Sequence, residues 1–408
     1  MPQVRPEILR WARETAGLAV AEAAAKIELR DARGVSGADR LTALEAGEGE
    51  PTRPMLVRMA TQYRRPLLAF YLSAPPRKGN RGQDFRTLPQ EYSGSSEPVL
   101  DVLLREIVAR QSLLRSALEV EEEPEVRTWV ASTTMEAGVP ALVTRLRTTL
   151  GLTPGAFRAT PDVESAFRLL RERVEAQGVF VVLASNLGSH HTSLSVDVFR
   201  GMAVADPIAP LIIINDMDSR TAWSFTLLHE LVHLWLGFTG VSGGSFDREV
   251  ERFCNEVASE FLLPADELRS IVFTRGGDQE LLAAQISEFA SVRKVSRSMV
   301  AYRLFRAGMI AEPEWRGMIG EFRRSWIELR ERRRAAASEV EGGPSYYVIR
   351  RQRLGNALLQ TTARLIRHVL EAGDPEAAAR VAAAFTGPID LIMASARMQL
   401  PPPRACPE

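Results

Sequence analysis

The sequence feature that most constrains this chain is the pentapeptide His229-Glu230-Leu231-Val232-His233. Residues four apart on an α-helix lie on one face, so a helix here brings both imidazoles to the same side. This H-E-x-x-H spacing is typical of two histidines that bind one metal ion. The chain has only five histidines, and two of them are in the motif. Apolar flanks at 223–228 and 234–236 predict a buried helix, with Gly237 as its stop.

The chemistry expected of this motif is hydrolysis assisted by a metal ion. A bound metal lowers the pKa of its water towards neutrality, so hydroxide becomes available as a nucleophile. Glu230 would take the proton of that water and later give it to the leaving amine. The predicted roles are therefore metal ligation for His229 and His233, and general base and then general acid for Glu230.

A tetrahedral catalytic zinc needs a third protein ligand, and the next predicted helix, 247–263, offers several carboxylates. Its apolar residues recur at helical spacing and form one stripe, namely Val250, Phe253, Cys254, Val257, Ala258 and Phe261. At about 100° per residue, Glu251 falls at the flank of this stripe, whereas Glu249 and Glu256 fall on the opposite side. Glu251 is the predicted ligand and Glu256 the alternative. Asn255, one turn beyond Glu251, is a candidate for a contact behind the ligands.

Two segments of this region resemble the ImmA/IrrE family of metallo-endopeptidases. They run from Phe225 to His233 and from Glu251 to Pro264, the second ending in Phe-Leu-Leu-Pro. In that family a glutamate four residues before the asparagine completes the metal site, and here this position is Glu251. The resemblance extends from about Leu150 to Leu304.

The resemblance implies a zincin-like peptidase domain, a zinc cofactor and a protein substrate. That substrate would be a DNA-binding repressor or antitoxin, cut to relieve repression in a stress, mobile-element or phage response. Two histidines and a glutamate suit Zn²⁺ best, although Mn²⁺ or Fe²⁺ can occupy such a site. The alternative is a non-proteolytic regulator or antitoxin that binds DNA or a toxin and senses metal through a peptidase-like domain.

A small sheet is predicted beside the motif helix, from strand-like stretches at 178–184, 193–199, 201–205 and 211–215. A zincin needs such a sheet because an extended substrate adds to its edge strand, for which 201–204 is the candidate. His190 and His191 are adjacent and point to different sides. One of them is a candidate for stabilising the oxyanion opposite the metal; the alternative is that both lie in a surface loop.

Residues 1–72 predict four or five short helices and resemble the XRE-type helix-turn-helix of phage repressors. The matching pieces are Leu-Glu45-Ala-Gly47, Pro51-Thr52 and the stretch from Tyr63 to Phe70. The candidate phosphate or partner contacts are Arg30, Arg33, Arg40 and Arg53. The segment 28–37 is longer than the usual turn of this motif. Residues 1–72 contain eleven Lys/Arg and nine Asp/Glu, so their net positive charge, which would attract DNA, is small. Binding of DNA and binding of another protein therefore both stay open.

The predicted fold class is α+β and predominantly helical. It comprises an N-terminal helix-turn-helix domain, a zincin-like domain with a small β-sheet, and a C-terminal helical region that includes one long helix over 346–372. The predicted domains are 1–74 (XRE-like helix-turn-helix), 75–140 (linker and scaffold helices), 141–270 (zincin-like metallopeptidase), 271–335 (helical, helix-turn-helix-like extension) and 336–408 (C-terminal helical domain and disordered tail).

Composition excludes several classes of protein. Hydrophobic residues at 45% and charged residues at 25% are those of a soluble globular protein. The formal net charge of zero gives no global drive towards nucleic acid or an anionic membrane. Two cysteines exclude a disulfide framework, and no apolar run approaches the roughly 18 residues of a transmembrane helix. Because the N-terminus is not a signal peptide, we expect a cytoplasmic protein without a membrane partner; an oligomer stays open.

Overall fold

The computed structural model describes residues 4–32, 34–65, 67–72, 74–75, 97–119, 124–186, 192–241, 248–269, 279–338, 346–371 and 373–385. The chain divides into two compact units, one of Met1–Ala109 with Asn186–Leu194, the other of Arg110–Ser185 with Ser195–Glu408. The predicted α+β class with a large excess of helix is confirmed. Over the described ranges, no helix combines the length and the apolar character that crossing a membrane requires.

The N-terminal unit begins with four short helices, as predicted. They are α1 (Pro6–Glu14), α2 (Val20–Lys26), α3 (Gly37–Ala46) and α4 (Arg53–Gln62), followed by a 3-10 turn at Leu67–Tyr71. The next helix, α5 (Glu97–Glu119), begins in this unit, and its residues from Arg110 on belong to the second. The hydroxyls of Ser36 and Thr52 accept backbone N–H groups at the starts of α3 and α4. Gly47 ends α3 in the left-handed conformation.

A buried ion pair joins α1 to α3 in this unit. The Arg13 guanidinium donates to both carboxylate oxygens of Glu45, at 2.6 and 2.8 Å. Around the pair lies an apolar core that includes Leu9, Ile27 and Leu41. Because both charged groups are enclosed, each depends on the other for its electrostatic compensation.

The sheet of the second unit has four strands in the order β1-β3-β2-β4. They are β1 (Phe180–Leu183), β2 (Gly201–Val204), β3 (Leu211–Ile214) and β4 (Gly240–Val241). β1 runs parallel to β3, whereas β2 is antiparallel to both β3 and β4. The sheet prediction is confirmed for three of its four stretches.

The predicted strand at 193–199 is wrong. This segment forms turns, because the Ser195 hydroxyl accepts the Asp197 N–H and the Ser195 carbonyl accepts the Val198 N–H. Such local hydrogen bonds compete with strand pairing.

The prediction that 201–204 is the sheet edge is also wrong. β2 lies inside the sheet, because residues 240–241 return beside it and pair with Met202 and Ala203. A strand of two residues is too short to be recognised by its alternation.

Twelve further α-helices lie within the described residues of the second unit. They are α6 (Val139–Leu150), α7 (Pro154–Arg158), α8 (Val163–Glu175), α9 (Arg220–Leu236), α10 (Arg248–Leu262), α11 (Ala265–Arg269), α12 (Gln279–Val292), α13 (Arg297–Arg306), α14 (Glu312–Ser338), α15 (Tyr346–Leu354), α16 (Asn356–Glu371) and α17 (Pro375–Phe385). α9 is the central helix and packs against α8, α10, β2 and β3. It is buried over almost its whole length, as its apolar flanks predict.

The single helix predicted over 346–372 is wrong, because α15 and α16 are separate. Gly355 lies between them with φ +78°, a left-handed conformation that interrupts the helix and suits glycine. A Cβ at this position would fall 2.7 Å from the Val181 carbonyl oxygen. The close approach of Gly355 to β1 therefore accounts both for the break between α15 and α16 and for the presence of glycine at this position. The helices predicted to follow, up to Met398, lie within the described residues only as far as Phe385.

Candidate metal centre

The three motif side chains lie inside the second unit, on α9. His229 is 4% exposed, His233 1% and Glu230 0%. The helix ends at Gly237, whose left-handed conformation (φ +79°) provides the predicted stop. Polar groups buried at this depth are costly unless they interact with one another or with a ligand.

Glu251 of α10 faces both histidines. Its Oε2 lies 3.4 Å from His229 Nε2, and its Oε1 lies 3.4 Å from His233 Nε2. The two Nε2 atoms are 3.1 Å apart. Within the described ranges, these three side chains are the one group of His, Cys, Asp or Glu spaced to hold a metal ion.

The spacing of these donor atoms fits zinc. Ligand bonds of about 2.0–2.2 Å in a tetrahedron place neighbouring donor atoms about 3.3 Å apart. The observed separations are 3.1, 3.4 and 3.4 Å. Two imidazole nitrogens and a carboxylate are also donors that a divalent metal accepts. The residues present can therefore hold the ion that the motif predicts.

The other carboxylates of α10 have different surroundings. Glu249 is exposed, with 69% of its side chain accessible. Glu256, the alternative ligand, forms an ion pair with Arg306 of α13, and Glu260 forms one with Arg303. Helical periodicity had separated Glu251 from Glu249 and Glu256, and the structure brings Glu251 alone of these to the histidines.

The histidines and Glu251 perturb one another electrostatically. Burial opposes ionisation of Glu251, but hydrogen bonding with both histidines and their charges outweigh it and lower its pKa to about 2. Burial also opposes protonation of His229, but Glu251, Glu230 and Asn255 outweigh it and raise its pKa. Burial lowers the pKa of His233, and the charge of His229 adds to this effect. The carboxylate thus stays ionised, as a metal ligand must.

Asn255 is among the groups that raise the pKa of His229, and its place behind the ligands stays a prediction. His190 and His191, the candidate oxyanion donors, lie outside the described residues, so their role stays a prediction.

One residue of the site was missed by the sequence reasoning. Gly201, at the start of β2, lies directly against the Glu230 carboxylate. A Cβ there would fall 2.8 Å from Glu230 Cδ and 2.7 Å from Thr226 Cγ2, contacts too short to persist without movement. A glycine in a strand often marks such a close approach, and this signal was present in the sequence.

Two of the predicted contacts of the N-terminal unit, Arg30 and Arg40, lie next to each other. The backbone carbonyl of Arg30 accepts a hydrogen bond from the Arg40 guanidinium at 2.5 Å. Arg53 is exposed in the first turn of α4. Arg33 lies outside the described residues. A phosphate-binding role for these side chains therefore stays a prediction.

Residues 175–305 match the family model Peptidase_M78, described as the IrrE N-terminal-like domain. This range contains the four strands β1 to β4, both helices that carry the candidate ligands, α11, α12 and all but the last residue of α13. Comparisons with curated proteins and with solved structures find no match. Peptidase_M78 is a metallopeptidase family, so the match supports both a relationship of this part of the chain to ImmA/IrrE proteins and a metallopeptidase role for it.

Proposed function

We propose that this protein is a zinc-dependent endopeptidase that cleaves a DNA-binding repressor or antitoxin and so relieves repression in a stress, mobile-element or phage response. The observation that carries the catalytic part is the convergence of His229, His233 and Glu251, with the Glu230 carboxylate beside them. The family match supports the peptidase chemistry. The repressor or antitoxin substrate rests on the resemblance to the ImmA/IrrE family.

The chain's own residues have separate roles in this proposal. His229, His233 and Glu251 would hold the zinc ion, which when bound supplies Lewis acidity and a water of lowered pKa. Glu230 takes the proton of the attacking water and returns it to the leaving nitrogen of the substrate. Its Oε1 packs against Gly201, so we expect the proton to move through Oε2.

Substitution of Glu230 separates metal binding from catalysis. We expect Glu230→Gln to retain the metal and to lose cleavage, by at least the roughly 10²- to 10⁴-fold typical of general acid–base catalysis. His233→Ala should lose both, because a ligand is removed. Bound metal is measured by inductively coupled plasma mass spectrometry and cleavage by the appearance of new N-termini.

Glu249→Gln is the matched control, since this exposed glutamate of α10 does not contact the histidines. It should bind metal and cleave like the wild type. Retained cleavage by a metal-bound Glu230→Gln protein would contradict the mechanism.

The substrate is identified in cells. Wild type and Glu230→Gln are expressed in the native host with and without DNA damage, and protein N-termini are compared by mass spectrometry. A new N-terminus in one repressor-like protein, present only with wild type, would identify the substrate and the cleaved bond. Identical N-termini would favour the non-proteolytic regulator, which does not use Glu230.

A further inference from the structure

A second site of chemical interest is a pocket of about 570 Å³ in the second unit, between β1 and α16. The lining residues do not include the motif histidines, Glu230 or Glu251. Its volume falls in the range of small-molecule sites, roughly 300–1,000 Å³. One wall is apolar and is formed by Leu118, Phe180 and Ile208.

The Arg127 guanidinium lines this pocket and packs against Gly178. A Cβ at Gly178 would fall 2.6 Å from the terminal Nη2 of Arg127 and would overlap Nε and Cζ. The backbone N–H of Arg127 donates to the Pro207 carbonyl at 2.6 Å, which fixes the chain there. The φ of +81° at Gly178 favours glycine, and the lack of a side chain there leaves room for the guanidinium in its present position.

The Nε of Arg127 is buried and has no hydrogen-bond partner among the described residues. Buried nitrogen donors in proteins are normally paired, so each exception calls for an explanation. Another nitrogen of the same guanidinium forms an ion pair with Glu125, whose side chain is 74% exposed. Close packing against Gly178 encloses this nitrogen, so a ligand in the pocket would meet only the accessible part of the guanidinium, whose side chain is 22% exposed.

The pocket lining is positively charged on balance. It contains three guanidinium groups, those of Arg127, Arg364 and Arg367, and the carboxylates of Glu125 and Glu175.

The charge of Glu175 is already neutralised within the wall. Its Oε1 accepts from Arg171 Nε at 3.0 Å, and its Oε2 accepts the N–H groups of Asn356 and Ala357 at the start of α16. Arg171 does not line the pocket. Glu125 pairs with Arg127, so the positive balance of the lining is carried by Arg364 and Arg367 of α16.

We propose that this pocket binds a small organic phosphate of about mononucleotide size. Guanidinium groups match the geometry and charge of phosphate oxygens, which accept two hydrogen bonds from one arginine. The body of the ligand would lie on Phe180 and Ile208, and its phosphate on Arg364 and Arg367 of α16. The proposal is independent of the peptidase function, because none of its residues belongs to the candidate metal centre.

The test is isothermal titration calorimetry on the full-length chain at constant ionic strength, since salt screens exposed charges. The probes are AMP, UMP and phenyl phosphate, with adenosine and inorganic phosphate as the two halves of the ligand. The variant is Arg364→Gln/Arg367→Gln on α16, where Arg364 is exposed and Arg367 half-buried. Arg316→Gln on α14, whose side chain is 73% exposed and lies outside the pocket, is the matched control.

At least one of the three organic phosphates should bind wild type and Arg316→Gln saturably and equally. Its affinity should fall at least tenfold in the double variant, and adenosine and inorganic phosphate should each bind at least tenfold more weakly. Failure of all three probes to bind would overturn the proposal. So would equal binding to the double variant, which would place the phosphate elsewhere in the molecule, or inorganic phosphate binding as tightly as the organic probes.

Discussion

The Glu230 carboxylate and the Gly201 backbone are in direct contact, and this contact links the sheet to the proposed catalytic group. Glu230 is fully buried, so its position depends on the atoms packed around it. A general base must be held near the proton that it takes. Gly201 is therefore a positioning residue in the proposed mechanism, and it does not itself touch the substrate.

Gly201→Ala tests this contact. The added methyl group overlaps Glu230, so we expect at least a tenfold loss of cleavage with retained metal, and a loss of stability of about 1–3 kcal/mol. Cleavage rate, bound metal and thermal unfolding are measured together. The control is Gly320→Ala in α14, where a Cβ has its nearest neighbour at 3.7 Å; this change should stabilise the helix by about 0.5–1 kcal/mol. Unchanged cleavage by Gly201→Ala would remove the positioning role.

Asp206, between β2 and β3, predicts a dependence of stability on pH. Burial opposes its ionisation, but the N–H groups of Ala209 and Ile208 and the Arg115 guanidinium outweigh it and hold its pKa below the ordinary value of 3.8. The charged form is thus favoured by folding. The Asp206 carboxylate therefore adds to the free energy of unfolding. This stabilisation is complete above pH 3.8 and is lost as the pH falls through the lowered pKa of the folded state.

We expect Asp206→Asn to lower the free energy of unfolding at pH 7 by about 1 kcal/mol, since Arg115 is partly exposed and its interaction is screened. The difference from wild type should shrink as the pH falls below about 4. Denaturant unfolding at pH 7 and pH 3 measures it. Asp266→Asn, at a side chain 87% exposed, should have little effect at either pH. A difference that grows on acidification would contradict the assignment.

The break between α15 and α16 is the feature that attaches the C-terminal helices to the peptidase-like region. The Glu175 carboxylate of α8 accepts the first N–H groups of α16, and Arg171 of α8 donates to the Val181 carbonyl of β1 and to the Gln352 carbonyl of α15. Gly355 lies among these groups. A side chain there would displace several hydrogen-bonded atoms at once.

Gly355→Ala should therefore destabilise the second unit by more than backbone strain alone. The left-handed conformation costs about 1–2 kcal/mol for a residue with a Cβ, and the overlap with Glu175 and the Val181 carbonyl adds at least a further 1 kcal/mol. Gly373→Ala is the control, since its φ is +85° and no heavy atom lies within 4 Å of its Cβ. Chemical denaturation of both variants measures how much free energy of unfolding each has lost. Equal losses would show that the contact has no energetic role.

At the scale of the whole molecule, the chain divides into two compact units that carry different interactions. The N-terminal unit depends on the buried pair of Arg13 and Glu45, whose side chains are 10% and 4% exposed. Removal of one partner leaves the other charge buried and uncompensated. We therefore expect the loss of one partner to destabilise this unit.

Glu45→Gln should destabilise the N-terminal unit by about 3–5 kcal/mol. Hydrogen exchange followed by mass spectrometry should show faster exchange in α1 to α4 and unchanged protection of α9 and α10. Glu48→Gln, at an exposed position just after α3, is the control and should leave both regions unchanged. Equal loss of protection in α9 would show that the two units unfold together.

Local spacing in the sequence was enough to predict the helix that carries His229, Glu230 and His233, and to choose Glu251 among the carboxylates of α10. Both predictions rest on the angle between residues of one helix, which does not depend on the rest of the fold. The four N-terminal helices were predictable for the same reason, from their apolar periodicity, and Gly47 ends α3. The domain boundaries proposed from composition stay a prediction.

Contacts between distant parts of the chain decided the rest. The approach of Glu251 to the histidines, the position of β2 inside the sheet, and the contact of Gly201 with Glu230 each join segments separated by many residues. The break at Gly355 depends on atoms of α8 and β1. Residues 193–199 form a turn where the sequence predicted a strand, because local hydrogen bonds take the place of strand pairing. Sequence periodicity reports which face of an element is buried, whereas the tertiary structure determines which element lies against that face.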